Sequence, residues 1–225
     1  MRPLDRTTAL VVVDVQNDFA DPAGSLAVTG ADDVVRAANA AAAAVRAAGG
    51  LVAYTADWHP AHTPHFAQDG GIWPVHCVAD SWGAAFHSEL AVDGPVVLKG
   101  TAGEDGYSGF TVRDPASGTT APTELAALLR AAGIERVVVC GLATDYCVKA
   151  TALDAVELGF ETVLLVDGVR AVDLAAGDGR RALDAMGAAG VELVIGDLAA
   201  GDPSGAGDHG TGERAAGEPG PGVRA

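Results

Sequence analysis

The stretch RVVVCGLATDYCVKATALDAVELGF, Arg136 to Phe160, decides the fold. Its β-branched run Val137, Val138, Val139 reads as a buried strand. Val148, Ala152, Ala155 and Val156 then recur at helical spacing until Gly159 closes the pattern. Cys147 falls in the first turn of that predicted helix. There the free amide N–H groups and the helix dipole favour negative charge, so a thiol is expected to ionise more readily. That is a setting for a nucleophile. A free cysteine is, however, commonly just a small buried apolar residue, so the decision rests with the rest of the chain.

Working outward, the same alternation repeats. Short β-branched runs at Ala9–Val13, Leu51–Thr55, Val96–Leu98, Arg136–Cys140, Thr162–Val166 and Val191–Ile195 read as strands. Alanine-rich amphipathic segments at Asp32–Ala48, Thr123–Ala132, Tyr146–Leu158 and Asp178–Ala189 read as helices, each with a glycine near its end. This is the pattern of a parallel sheet covered by helices on both faces. The segment Ala56–Pro95 is long, rich in His, Trp, Pro and Gly, and free of periodic pattern, which marks a functional loop. Residues 1–198 read as one domain. Residues 199–225 are Gly- and Pro-rich, with almost no bulky apolar side chains, and read as a disordered tail.

A chain of 225 residues can hold one such domain with a developed core. Its formal charge of −16 argues against nucleic acid or an anionic membrane as partner, and for a small, weakly charged substrate. The three cysteines, Cys77, Cys140 and Cys147, are too few and odd in number for a disulfide framework. The apolar run at the N-terminus is too short for a signal peptide or a membrane span. A reduced, cytoplasmic protein is the expectation, and the composition is compatible with a homo-oligomer.

Three reactive side chains fall at predicted strand ends. Asp14 closes the first strand in VVVDVQNDF, Lys99 closes the third in VVLKG, and Cys147 follows the fourth. Open α/β sheets bind ligands beyond the carboxyl ends of their strands, where the strand order reverses, so the three can meet there. After the second strand come ADWHPAHTPHF and then WPVHC. Asp57 and His59, two apart in an extended segment, point to one side, and His65 or His76 can close on the same centre. Spacing alone does not separate His62 from His65. Carboxylate plus imidazole suits divalent iron, manganese or zinc.

Together DVQNDF, DWHPxxxxHF, WPxHC, KG followed by YSGF, and GLATDYCV resemble the nicotinamidase/pyrazinamidase branch of the isochorismatase-like cysteine hydrolases. The resemblance runs from about Ala9 to Ile195 with the motifs in the family's order. It implies a three-layer α/β/α fold whose six-stranded parallel sheet has the order 3-2-1-4-5-6. It also implies Asp14, Lys99 and Cys147 as catalytic triad, and Asp57, His59, His65 and His76 as ligands of one divalent metal ion, which leaves His62 a bystander. Many members carry serine where His65 stands. The same resemblance makes Leu142–Ala143 a cis peptide, the amides of Ala143 and Cys147 an oxyanion hole, and Phe19, Trp73 and Tyr107 the walls around the substrate ring.

The implied activity is metal-dependent hydrolysis of nicotinamide or pyrazinamide to the acid and ammonia through a thioester, with a place in NAD salvage. Asp14 takes the thiol proton, and Lys99 balances Asp14 and the thiolate, keeping both ionised. Three rivals stand beside this reading: a small-amide or ureido hydrolase of the same superfamily, isochorismatase itself, and a non-catalytic metal-binding protein on the fold. No G-x-G-x-x-G follows the first strand, which argues against a dinucleotide-binding module.

Overall fold

The computed structural model of the protein describes residues 2–196 and 198, so the expected tail lies outside the described residues. In chain order the elements are β1 (Thr8–Val13), α1 (Asn17–Ala20), α2 (Ala31–Ala47), β2 (Leu51–Asp57), β3 (Val96–Lys99), β4 (Thr111–Arg113), β5 (Thr120–Pro122), α3 (Leu125–Ala131), β6 (Arg136–Leu142), α4 (Lys149–Glu157), β7 (Glu161–Arg170), α5 (Asp178–Ala188) and β8 (Glu192–Val194). A six-stranded sheet, parallel throughout, runs β3-β2-β1-β6-β7-β8. Counted among themselves these strands have the order 3-2-1-4-5-6 that the resemblance implies. The numbering shifts because β4 and β5 form a separate antiparallel hairpin. Each of its strands is three residues long. That is too short for a period-two pattern to announce itself.

β1 and β6 are the central strands, and every one of their residues is buried. Their side chains divide by parity, as strand geometry requires. Leu10 and Val12 of β1, with Val138 and Cys140 of β6, pack under α2 on one face. Ala9, Val11 and Val13, with Val137 and Val139, pack under α3, α4 and α5 on the other. α2 offers the sheet a stripe of Val34, Val35, Ala38, Ala41, Ala42 and Val45, the i, i+3, i+4 spacing of one helical face. Asp32 and Asp33 in its first turn and Arg46 in its last suit the helix dipole. Burying each valine or leucine contributes roughly 1.5–3 kcal/mol, so the two faces hold the sheet from both sides.

The order reverses between β1 and β6, and there the chain departs from regular structure. Gly141, in the last turn of pleat of β6, has φ 119° and lies so close to β1 that a Cβ would sit 2.1 Å from the Val13 carbonyl oxygen. Leu142–Ala143 is a cis peptide, and Thr144–Val148 is a single π-helical turn ahead of α4. The sequence reading places Cys147 in the first α-helical turn; instead it sits in this π turn, closed by the Val148 N–H on the Ala143 carbonyl at 3.1 Å. Such turns are frequent where a helix must present a side chain to a site.

Candidate active site

Strand register brings the polar residues together. Val13 lies opposite Thr55 across β1 and β2, and also opposite Gly141 across β1 and β6, while Asp57 lies opposite Lys99 across β2 and β3. Asp14, one residue past β1, is fully buried at φ 49°. Its N–H donates to the Thr55 carbonyl at 3.2 Å, and the Thr55 hydroxyl donates to its Oδ1 at 2.6 Å. Lys99 Nζ lies 2.8 Å from Asp14 Oδ2 and 3.7 Å from Cys147 Sγ, and it also pairs with Asp57 Oδ1. Gln16, fully buried, fixes Asp57 from behind: its Nε2 donates to the Asp57 carbonyl at 2.7 Å and its Oε1 accepts the Asp57 N–H at 2.8 Å.

Two carboxylates, one ammonium and a thiol thus share a buried space. Burial pushes the Asp14 carboxyl above the usual carboxylate range, with Lys99 and Thr55 pulling the other way. Burial likewise pushes the Cys147 thiol well up, Lys99 opposes it, and the Asp14 and Asp57 charges add to the rise. The helix-end position thus favours the thiolate while burial and the two neighbouring acids oppose it. Lys99 stays charged because Asp14 and Asp57 raise its pKa against the effect of burial.

The second group sits beside the first. His59, His65 and His76 each bring a ring nitrogen within 4.8 Å of the others. His59 Nε2 and His76 Nε2 lie 3.8 Å and 3.9 Å from Asp57 Oδ2. His76 Nδ1 donates to the Pro74 carbonyl at 2.8 Å, and burial pushes His76 down to about 4, so its ring is neutral and Nε2 carries a lone pair. Both nitrogens of His59 are buried without a hydrogen-bond partner. An orphaned imidazole facing two others and a carboxylate fits a divalent metal ion. Gly100, at φ 78°, makes room for the His59 ring, since a Cβ there would lie 2.5 Å from His59 Nδ1. His62 is 81 % exposed and turned to Asp69 at 3.2 Å, apart from this group.

A narrow pocket opens onto both groups, lined by Cys147, Ala143, Asp57, His65 and His76. Its walls include Phe19, Trp73 and Tyr107. Trp73 Nε1 donates to the Tyr107 hydroxyl at 3.0 Å, and the Phe19 ring lies 5.5 Å from that of His76. Leu26, Tyr146 and Val172 complete the walls and were not among the sequence candidates. Tyr146 stands edge-on to Trp73 at 4.9 Å. Its position beside Cys147 in the quoted stretch is a usable signal; Leu26 and Val172 lie in loops with no pattern. Asp105 is a further polar residue the sequence reading passed over. It meets His65 Nδ1 at 2.8 Å. That hydrogen bond, with those from Arg113 and Gly106, holds its carboxyl well below the usual range against the effect of burial.

Fold and site together define the class, an α/β/α hydrolase with thiol, carboxylate and ammonium gathered where its parallel sheet reverses. The chain belongs to the isochorismatase family, whose domain matches residues 8–194. It is 41 % identical over 194 residues to the nicotinamidase/pyrazinamidase of Mycobacterium tuberculosis, covering 83 % of this chain and 97 % of that protein. It is 37 % identical over 204 residues to the nicotinamidase of Escherichia coli, covering 82 % of this chain and 93 % of that one. The crystal structure of the pyrazinamidase of Pyrococcus horikoshii in complex with zinc superposes with a TM-score of 0.75 at 40 % identity, covering 84 % of this chain and 99 % of the other. Among the described residues, no helix is long and apolar enough to cross a membrane.

Proposed function

We propose that the protein is a metal-dependent cysteine amidohydrolase that converts nicotinamide and pyrazinamide to the corresponding acids and ammonia. The observation that carries this reading is one pocket lined at once by Cys147 and by Asp57, His65 and His76. The activities named for the relatives from M. tuberculosis and E. coli support it. Asp57, His59, His65 and His76 would hold a divalent ion, which would supply a Lewis acid to orient a ring bearing a nitrogen donor. Iron, manganese and zinc all accept this donor set, and the pyrazinamidase of P. horikoshii is known in complex with zinc.

The chain's own residues carry the chemistry. Asp14 takes the proton of the Cys147 thiol as sulfur attacks the carboxamide carbon. Its raised pKa makes it a stronger base than an ordinary carboxylate. The amides of Ala143 and Cys147 receive the developing oxyanion. Asp14 returns the proton to the amide nitrogen, the C–N bond breaks and ammonia leaves, giving a thioester. Water then loses a proton to Asp14 and attacks the thioester carbon. The C–S bond breaks, the acid is released, and Asp14 gives the proton back to the thiolate. Lys99 remains protonated throughout and offsets the negative charge that passes between Asp14 and sulfur.

The test compares kcat/KM for nicotinamide, pyrazinamide and benzamide on fully metallated enzyme. Pyrazinamide, which keeps a nitrogen at the equivalent ring position, is expected at a comparable rate. Benzamide lacks it and is expected to be poorer on the order of 10²-fold, or about 3 kcal/mol. Benzamide turned over as efficiently as nicotinamide overturns the proposed role of the metal. Absence of ammonia release from all three overturns the amidase reading.

A further inference from the structure

The segment between β3 and β4 connects the hairpin to the histidine cluster through one side chain. Asp105 and Arg113 exchange both backbone hydrogen bonds, N–H to carbonyl, at 2.7 Å each way. Arg113 Nη2 donates to Asp105 Oδ2 at 2.8 Å, and the Gly106 N–H donates to Asp105 Oδ1, also at 2.8 Å. The carboxylate is thereby held from the β4 side in one orientation, with Oδ1 facing His65 Nδ1 at 2.8 Å. A carboxylate so placed keeps the proton of a neutral imidazole on Nδ1, which leaves the lone pair on Nε2. The His65 ring stacks on His59 with centroids 4.9 Å apart and lies 5.2 Å from the ring of His76. Without that partner the His65 proton is free to move to Nε2, where it opposes metal binding.

We propose that Asp105, braced by Arg113, is a positioning residue that makes His65 a direct metal ligand by fixing its tautomer and ring orientation. The proposal rests on the metal site of the function proposed above. It accounts for why this chain uses histidine at 65: the segment before β4 supplies the outer carboxylate such a histidine needs, and Arg113 of β4 holds it. Outer partners of this kind typically change metal affinity by about 10–100-fold when removed.

The test is the Zn²⁺ dissociation constant, measured by competition with a chromophoric chelator on the full chain. Wild type, Asp105→Ala, Asp105→Asn, Arg113→Met and His76→Ala are compared. Asp105→Ala is expected to weaken binding by about 10–100-fold. Asp105→Asn keeps an oxygen acceptor for the Nδ1 proton and is isosteric, so it is expected to bind several-fold more tightly than the alanine variant. Arg113→Met leaves the carboxylate on His65 and is expected to lose less than Asp105→Ala. Equal affinity for wild type and Asp105→Ala overturns the proposal. So does an Asn variant no better than Ala, or an Arg113→Met loss as large as that of Asp105→Ala, since either makes the effect one of loop placement. A wild type that takes up no zinc, or a His76→Ala variant that binds as tightly as wild type, overturns the metal site itself and this proposal with it. Those two failures are therefore distinguishable.

Discussion

Asp14 and Cys147 are both acids in a buried space, and burial raises both. Lys99, 2.8 Å from Asp14 Oδ2 and 3.7 Å from Cys147 Sγ, is the cation placed to offset negative charge on either group. Cys147→Ala removes the sulfur but little volume. Ammonia release is expected to fall at least about 10³-fold while metal content and circular dichroism stay unchanged. Substantial residual turnover would take Cys147 out of the nucleophile role. Thr55 gives a subtler test. Its hydroxyl bonds the charged form of Asp14 at 2.6 Å, which lowers the Asp14 pKa. Thr55→Val removes that bond, so the Asp14 pKa rises further and less of it is ionised at a given acidic pH. The acid limb of the kcat/KM profile is expected to move to higher pH, and a limb that moves down would contradict Asp14 as the base.

At the scale of elements, the crossing of β1 and β6 depends on one residue without a side chain. Gly141→Ala places a Cβ against the Val13 backbone at a φ that alanine rarely adopts. A loss of about 3 kcal/mol or more in urea unfolding is expected, and a loss under 1 kcal/mol would mean the two strands part easily there. The loop after β2 makes the opposite point, because its histidines are chosen by position and not by number. His76→Ala is expected to lower bound metal, measured by plasma emission, to a small fraction of wild type. His62→Ala, on an exposed ring, should leave it unchanged. If His62→Ala loses metal while His65→Ala keeps it, the ligand set is wrongly drawn.

For the whole molecule, the end of the domain is testable. Leu198 is buried against α2 and Leu165 at 3 % exposure. Ending the chain after Leu198 is expected to leave activity and melting temperature within error, since 199–225 offers Val223 as its one bulky aliphatic side chain. Ending it after Ile195 removes Leu198 from the core and is expected to cost roughly 1.5–3 kcal/mol. The sheet and its helices were legible in the sequence because a strand buried on both faces and an amphipathic helix each write their period into local residues, as Val137–Val139 and the α2 stripe do. The motifs around Asp14, Asp57, His59 and Lys99 were legible because these residues stand at or just past strand ends, and those around His76 and Cys147 through WPVHC and GLATDYCV. Other features were not. The short strands of β4 and β5 carry no period, the π turn at Thr144–Val148 has the same residues as an α turn, and the link from Asp105 to His65 spans 40 residues. Above all, the surroundings of Cys147 were not legible in local sequence. Its helix terminus is a local feature and favours the thiolate, but Asp14 and Asp57 arrive from other strands and burial comes from every layer. Desolvation and Coulomb energy depend on what surrounds a group in space, and only the folded chain decides that.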